Sequence, residues 1–225
     1  LVAGYRPCLR CRPLETSPQP TDADQRRAER LRPVLRAARA TRRRRSGAAA
    51  VVVTLLRSPL GMLLAGATDD GICLLEFTDR PMLPSQLDTL ARRLRRPVVA
   101  GRHPWLDRLE EELDAYFAGD RDRFDLPLVA PGTPFQERVW AALREIPTGG
   151  TLSYEALASG AGRPGAQRAA GTANGANRIA VVIPCHRVVR KSGEIGNYGG
   201  GSWRKAWLLD HERAMAQKVM SVPMA

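Results

Sequence analysis

Three short apolar runs separated by turn residues, AVVVTLLR (50–57), GMLLAGA (61–67) and ICLLEF (72–77), constrain the fold of this chain more than any other feature. Each has the length and the β-branched or aliphatic character of a strand, and Ser58-Pro59 and Asp70-Gly71 punctuate them. An Asp-Gly pair between apolar runs favours a tight hairpin whose central residues accept positive φ. The expectation is an antiparallel meander, with folded structure beginning near Ala48. Cys73 falls among apolar neighbours in the third run and reads as a buried, inert thiol. Two helices should cover the sheet. Ser85 to Arg95 places Leu87, Leu90 and Leu94 on one stripe, and Pro104 to Ala118 carries Trp105, Leu109, Leu113, Tyr116 and Phe117, with Pro104 in the first turn and Gly119 at the stop.

From Thr133 the texture changes. Thr133-Pro-Phe-Gln136 has the form of a capping box, and Phe135, Val139, Trp140 and Leu143 follow at helical spacing, up to a break before Pro147. A short helix from Ser153 to Ser159, interrupted by Gly160 and Gly162, and a second starting near Pro164 make a helix-turn-helix candidate. The second helix carries Ala169, Ala170, Gly171 and Ala173, small residues that let its backbone approach a groove while Arg168 projects.

The distribution of charge points to an anionic partner. The formal charge is +12, and residues 26–45 alone hold ten Arg against one Glu; residues 163–213 carry nine Lys or Arg against three acids. Residues 14–47 read as an Arg-rich, solvated linker. No apolar run approaches the roughly 20 residues that span a bilayer, so no membrane role and a cytoplasmic location are expected. Four cysteines, Cys8, Cys11, Cys73 and Cys185, form no dense disulfide framework; Cys8 and Cys11 make a Cys-x-x-Cys pair of the kind that marks metal or redox chemistry.

The chemical centre is placed at IAVVIP (179–184), read as a strand that runs directly into Cys185-His186-Arg187. Pro184 cannot donate to a ladder, so the strand should stop and leave Cys185 at a rim. A thiol with an unperturbed pKa of about 8.5 needs a base or a positive field to act as a nucleophile at neutral pH, and His186 and Arg187 are adjacent in sequence. On a downstream helix from about Trp203 to Arg213, Glu212 shares the buried side with Leu208 and Leu209. A carboxylate there either frays into water or orients His186, completing a nucleophile, a base and an orienting acid.

IPCHRVV, with the upstream TLSYEALA and QRAAGTANGAN and the downstream GNYGGGSWRKAWLLDHE, resembles the O6-alkylguanine-DNA alkyltransferases, also called methylated-DNA-protein-cysteine methyltransferases. The likeness is specific over residues 131–213, and residues 50–130 are compatible with the family's N-terminal part. It implies an α/β (α+β) fold: a ribonuclease H-like N-terminal subdomain (48–130), then a winged-helix-like, helix-turn-helix alkyltransferase subdomain (131–215) and a tail (216–225). It further implies single-turnover transfer of an alkyl group from O6-alkylguanine, with O4-alkylthymine as a further candidate, in double-stranded DNA to Cys185 of a monomer, without a cofactor. His186 would be the base acting through a water, Glu212 the acid holding it, and Asn177 the tie between the active-site segment and the helix-turn-helix. Tyr154 would donate toward guanine N3 and Arg168 would fill the gap left by the flipped base, beside Ala169, Gly171 and Thr172 on the DNA face. Tyr198, Gly199 and Pro184 would line the substrate pocket.

Two residues depart from the family pattern: Gly199 stands where some members carry a Ser, and Asn174 where an apolar residue is commoner. GYRPCLRCRP (within residues 1–13) resembles the end of an Ada-type zinc domain, but two thiolates do not close a tetrahedral site. Zinc at Cys8 and Cys11 is expected only if other ligands are supplied, so the segment reads as a remnant. Three other functions remain open on residue pattern alone: a non-catalytic alkylated-DNA-binding module, whose kind lacks the acceptor cysteine; a cysteine hydrolase, which would turn over repeatedly; and an Ada-like transcriptional regulator, whose further module is absent.

Overall fold

The computed structural model describes residues 50–220. The linker and the Cys8–Cys11 pair lie outside the described residues. β1 (Val51–Ser58), β2 (Gly61–Thr68) and β3 (Gly71–Phe77) form the expected antiparallel meander. Ser58 Oγ accepts from Leu60 N–H and donates to Gly61 O, so the first turn is held by its own leading side chain. In the second, Thr68 pairs with Gly71, so the loop residues are Asp69 and Asp70, neither at positive φ. Asp70-Gly71 is therefore not the turn centre. Gly71 follows it at φ +138, where a Cβ would lie 2.3 Å from the Pro127 carbonyl oxygen.

A fourth strand, β4 (Val98–Ala100), pairs in parallel with β1 and gives the order β3-β2-β1-β4. Three residues after Pro97 are too few to show a period, so this strand was not foreseen. α1 (Leu83–Leu94) makes the crossover, covering one sheet face through Leu83, Leu87 and Leu90 against Val51, Val53, Leu64 and Leu74. α2 (Pro104–Ala118) covers the other with Leu106, Leu109, Leu113 and Tyr116, starting at Pro104 and stopping at Gly119 as expected. The two-residue alternation of the strands thus feeds two faces. Each fully buried Leu on them contributes about 1.5–3 kcal/mol.

The second half is helical. α3 (Pro134–Arg144) begins with the capping box of Thr133 and Gln136, α4 (Tyr154–Gly160) is capped by Ser153, and α5 (Gln167–Gly175) follows across a turn. Trp140 Nε1 donates to Ala173 O at 2.9 Å, fastening α5 to α3. Two short parallel strands, β5 (Leu152–Ser153) and β6 (Val188–Val189), flank the helix pair. The last helix, α6 (Ser202–Met220), runs well past Arg213, so residues 216–220 belong to it rather than to a tail.

The expected strand at 179–184 does not form. Ile179 makes a single parallel bridge to Leu75, and the chain then folds back on itself: Ile183 N–H donates to Ile179 O at 2.9 Å and Val182 N–H to Ala180 O at 2.8 Å. The second bond closes a γ-turn around Val181, whose φ of +69 is a strained value for a β-branched residue. Cys185 N–H donates to Ile183 O at 2.8 Å across Pro184 (φ −81, ψ 61), an inverse γ-turn. An apolar, β-branched run resembles a strand, but here its burial comes from filling the core between the two halves.

The free edge of β3 takes up a segment of its own half at Ile72 and joins the second half at Leu75. Ile72 exchanges bonds with Pro127 and Val129, and Leu75 with Arg178 and Ala180, all at 2.7–2.8 Å. The segment that leads into Cys185 is therefore anchored to the N-terminal sheet by a single bridge.

Candidate active site

Cys185 opens a single 3-10 turn, Cys185–Arg187, with all three residues buried. Burial pushes its thiol above the ordinary value, and a hydrogen bond from Asn177 Nδ2 to Sγ at 3.1 Å works the other way. Asn177 also donates to Ile183 O at 2.9 Å and accepts from Ile179 N–H at 3.0 Å. One amide thus ties the end of α5, the γ-turn and the sulfur together. Asn174, in the last turn of α5, adds a bond from Nδ2 to Cys185 O at 3.3 Å. This departure from the family pattern therefore grips the Cys185 backbone.

His186 and Glu212 are both fully buried, with His186 Nε2 2.9 Å from Glu212 Oε1. The alternative of Glu212 fraying into water is excluded. The carboxylate has further partners that the sequence did not suggest. Arg187 grips both oxygens at 2.8 Å, Tyr116 Oη donates to Oε1 at 2.8 Å, and Gly149 N–H lies 3.5 Å from Oε2. Arg187 is itself held by Thr148 Oγ1 and the Ile146 carbonyl. Burial alone would raise Glu212; the bonds and charges of His186 and Arg187 outweigh it and hold the carboxyl well below the usual carboxylate range. Burial lowers His186, and Arg187 and Lys205 add to that while Glu212 opposes. Burial is the largest of these influences, and the balance favours the neutral imidazole. Its Nδ1 is buried without a hydrogen-bond partner.

Lys205 is fully buried on α6, donates to the Val188 carbonyl and is lowered by burial to about 8. A thiolate at Cys185 acts against that lowering. Cys185 therefore has a cation in its field that no motif in the sequence marked.

Tyr198 stands edge-on to His186, ring centroids 6.5 Å apart, with its hydroxyl buried and unpartnered. Tyr154, the first residue of α4, is half-buried and feels the Cys185 charge; its ring is 3.6 Å from where a Cβ on Gly171 would sit. Pro184 is buried in the turn before Cys185, and Gly199 lies exposed in the loop before α6. The structure thus gathers Cys185, His186, Glu212, Asn177, Tyr198, Tyr154 and Pro184 around one centre. Arg168, Ala169 and Thr172 lie outside it, exposed on α5, where Thr172 Oγ1 bonds back to Arg168 O at 3.0 Å.

That arrangement, a buried thiol at the foot of a helix-turn-helix, has a counterpart among known proteins. Residues 51–130 match the ribonuclease-like domain of 6-O-methylguanine DNA methyltransferase, and residues 134–214 match its DNA binding domain. The chain belongs to the 6-O-methylguanine DNA methyltransferase family. A methylated-DNA--protein-cysteine methyltransferase of Mycolicibacterium paratuberculosis is 41% identical over 162 residues, covering 69% of this chain and 88% of that protein. One from Shigella flexneri is 51% identical over 105 residues, 46% of this chain. That match spans 61% of the Shigella protein's length. The crystal structure of Mycobacterium tuberculosis OGT in complex with DNA superposes with a TM-score of 0.62 at 37% identity, covering 73% of this chain and 94% of that one. The ribonuclease-like and DNA-binding halves of this family agree with the α/β fold class expected from the sequence.

Among the described residues no group of three His, Cys, Asp or Glu side chains is placed to hold a metal ion, and no helix is long and apolar enough to cross a membrane.

Proposed function

We propose that this protein repairs DNA by moving an alkyl group from O6 of guanine irreversibly onto Cys185. The observation that carries the reading is the Asn177–Cys185 bond beside the buried His186–Glu212 pair, at the foot of α5. A guanine O6 inside a duplex is flanked by stacked neighbours, so the base must leave the stack at a cost of a few kcal/mol. Exposed Arg168, next to Ala169, Gly171 and Thr172, fills the gap, and nearby basic residues bind phosphates in a salt-dependent way. The pocket formed by Tyr198, Gly199 and Pro184 receives the extruded base. The Cys185 proton passes through a water to His186 Nδ1, whose ring Glu212 holds through Nε2. Sγ then attacks the alkyl carbon as the carbon–O6 bond breaks. The electron pair stays on the purine, which takes up a proton while Tyr154 donates toward N3.

The product thioether has no exchangeable bond, so one molecule repairs one lesion and no cofactor is consumed. We place the protein in the cytoplasm as a monomer, where Cys73 and Cys185, free thiols among the described residues, persist reduced. Intact-mass analysis after incubation with an O6-methylguanine duplex tests the reading. One methyl is expected per native molecule and none on Cys185→Ala. Repeated turnover, or uptake by the variant, would overturn it in favour of a hydrolase or another acceptor.

A further inference from the structure

Glu76 is a fully buried carboxylate inside the otherwise apolar strand β3, and nothing in the proposed transfer uses it. It is paired with Arg80, accepts from Phe77 N–H at 3.0 Å, and lies 3.5 Å from Gln86 Nε2 on α1. A buried ion pair seldom adds stability over apolar side chains of the same volume, so its geometry is the better guide to its role. Arg80 reaches out of the N-terminal half. Its Nη2 donates to Gly175 O at 2.6 Å and Nη1 to Asn177 O at 3.3 Å, and Gln86 Nε2 adds a second donor to Asn177 O at 3.3 Å. These carbonyls close the C-terminal end of α5, where a cation is favoured. Asn177 is also the residue whose side chain meets Cys185 Sγ.

The other side of the same guanidinium meets the loop at Gly199, next to Tyr198. A Cβ on Gly199 would lie 2.5 Å from Arg80 Cζ and Nη2 and 2.7 Å from Nε. Arg80 therefore occupies the volume that a side chain at position 199 would take. Its Nε is buried without a partner, as is the hydroxyl of neighbouring Tyr198.

We propose that Arg80, oriented by Glu76, is a positioning residue for alkyl transfer and the wall of the alkyl pocket at Gly199. It fixes the Asn177 backbone beneath Cys185 and fills the space above the loop. The N-terminal half thereby sets both the rate of transfer and the bulk of the group accepted. This rests on the alkyl-transfer reading of the site.

The test compares single-turnover transfer from O6-methylguanine and O6-benzylguanine duplexes, with DNA affinity measured separately. The variants are Glu76→Gln/Arg80→Ala, which removes the pair together, Arg80→Lys, which keeps a cation opposite Glu76, and Gly199→Ser in the native and double-variant backgrounds. Loss of Arg80 should slow methyl transfer at saturating DNA roughly ten- to a hundred-fold. DNA affinity should stay unchanged, and the benzyl-to-methyl ratio should rise. Gly199→Ser should be costly in the native background and nearly neutral once Arg80 is gone. Equal slowing of both substrates, or the same Gly199→Ser penalty in both backgrounds, overturns the role of Arg80. Should the double variant not fold, Arg80→Lys decides through the same ratio. A native chain that takes up no methyl overturns the reading of the site instead, so the two failures are distinguishable.

Discussion

Cys73 and Cys185 are two free, buried thiols on segments that meet at the edge of one sheet, and only one has the surroundings of a nucleophile. Burial pushes both above the ordinary thiol value, Cys73 to about 12. Exposure does not distinguish them. Cys73 packs between β3 and α1 with Val51, Val53, Leu74 and Leu83, and the Arg96 and Arg178 charges only modestly offset its burial. Cys185 has an amide donor on its sulfur and an imidazole with a free nitrogen in the next residue, and in its field Glu76 opposes ionisation while Arg80 and Lys205 favour it. What sets Cys185 apart is therefore the set of fixed polar groups around it in a buried site, where each is worth more than in bulk water.

The largest expected effect on that contrast comes from Glu212→Gln. An amide cannot balance Arg187, so a guanidinium is left buried without its counter-charge, costing about 3–5 kcal/mol of stability. His186 loses the partner that fixes its ring, and transfer should slow by about 10²–10⁴. Urea unfolding and single-turnover rates check both. A variant of native stability would mean that the Glu212 cluster holds nothing together.

A pH series gives the next effect. Because His186 is lowered in the fold, the unfolded chain binds its proton first. The stability owed to a neutral His186 is complete above its ordinary value of 6.5 and is lost as pH falls below it. Glu212, held low, adds a second loss that begins below about 4.5. Transfer should follow the first step, falling on the acid side of 6.5 as the base becomes protonated. A rate that declines already above that value would show a folded imidazole that is charged rather than neutral. The surroundings of Cys73 contribute no step of this kind.

How far the two regions could be read in advance follows the range of their interactions. The meander, the capping box at Thr133 and the start and stop of α2 rest on residues close in sequence, and they formed as expected. The pairing of Glu212 with His186 was also legible, because a carboxylate on a buried helix face demands a partner. Its sharing with Arg187 and Tyr116 was not, since those contacts depend on how three separate elements pack. IAVVIP was misread because a run of Val and Ile does not reveal whether its backbone bonds go to a neighbouring strand or back onto itself. The Glu76–Arg80 pair had one available signal, an acid in an apolar strand, but the site it supports lies some hundred residues further along the chain.

The smallest effect belongs to Cys73→Ala. Its sulfur fills space between Leu74, Leu83 and the β1 valines, and among the described residues no hydrogen bond to that sulfur links it to the site. Losing that much apolar burial costs about 1 kcal/mol. Transfer to Cys185 should remain within two-fold of native, because Asn177, His186 and Glu212 keep their partners. The sharper form of the experiment treats separate samples of the native chain and this variant with a small thiol alkylator or with the methylated duplex. If burial alone governed reactivity, both sulfurs would respond equally to the alkylator and the DNA would select neither. If the fixed groups around Cys185 govern it, the duplex labels Cys185 in both proteins, and the Cys73 sulfur reacts only after denaturant has opened the sheet.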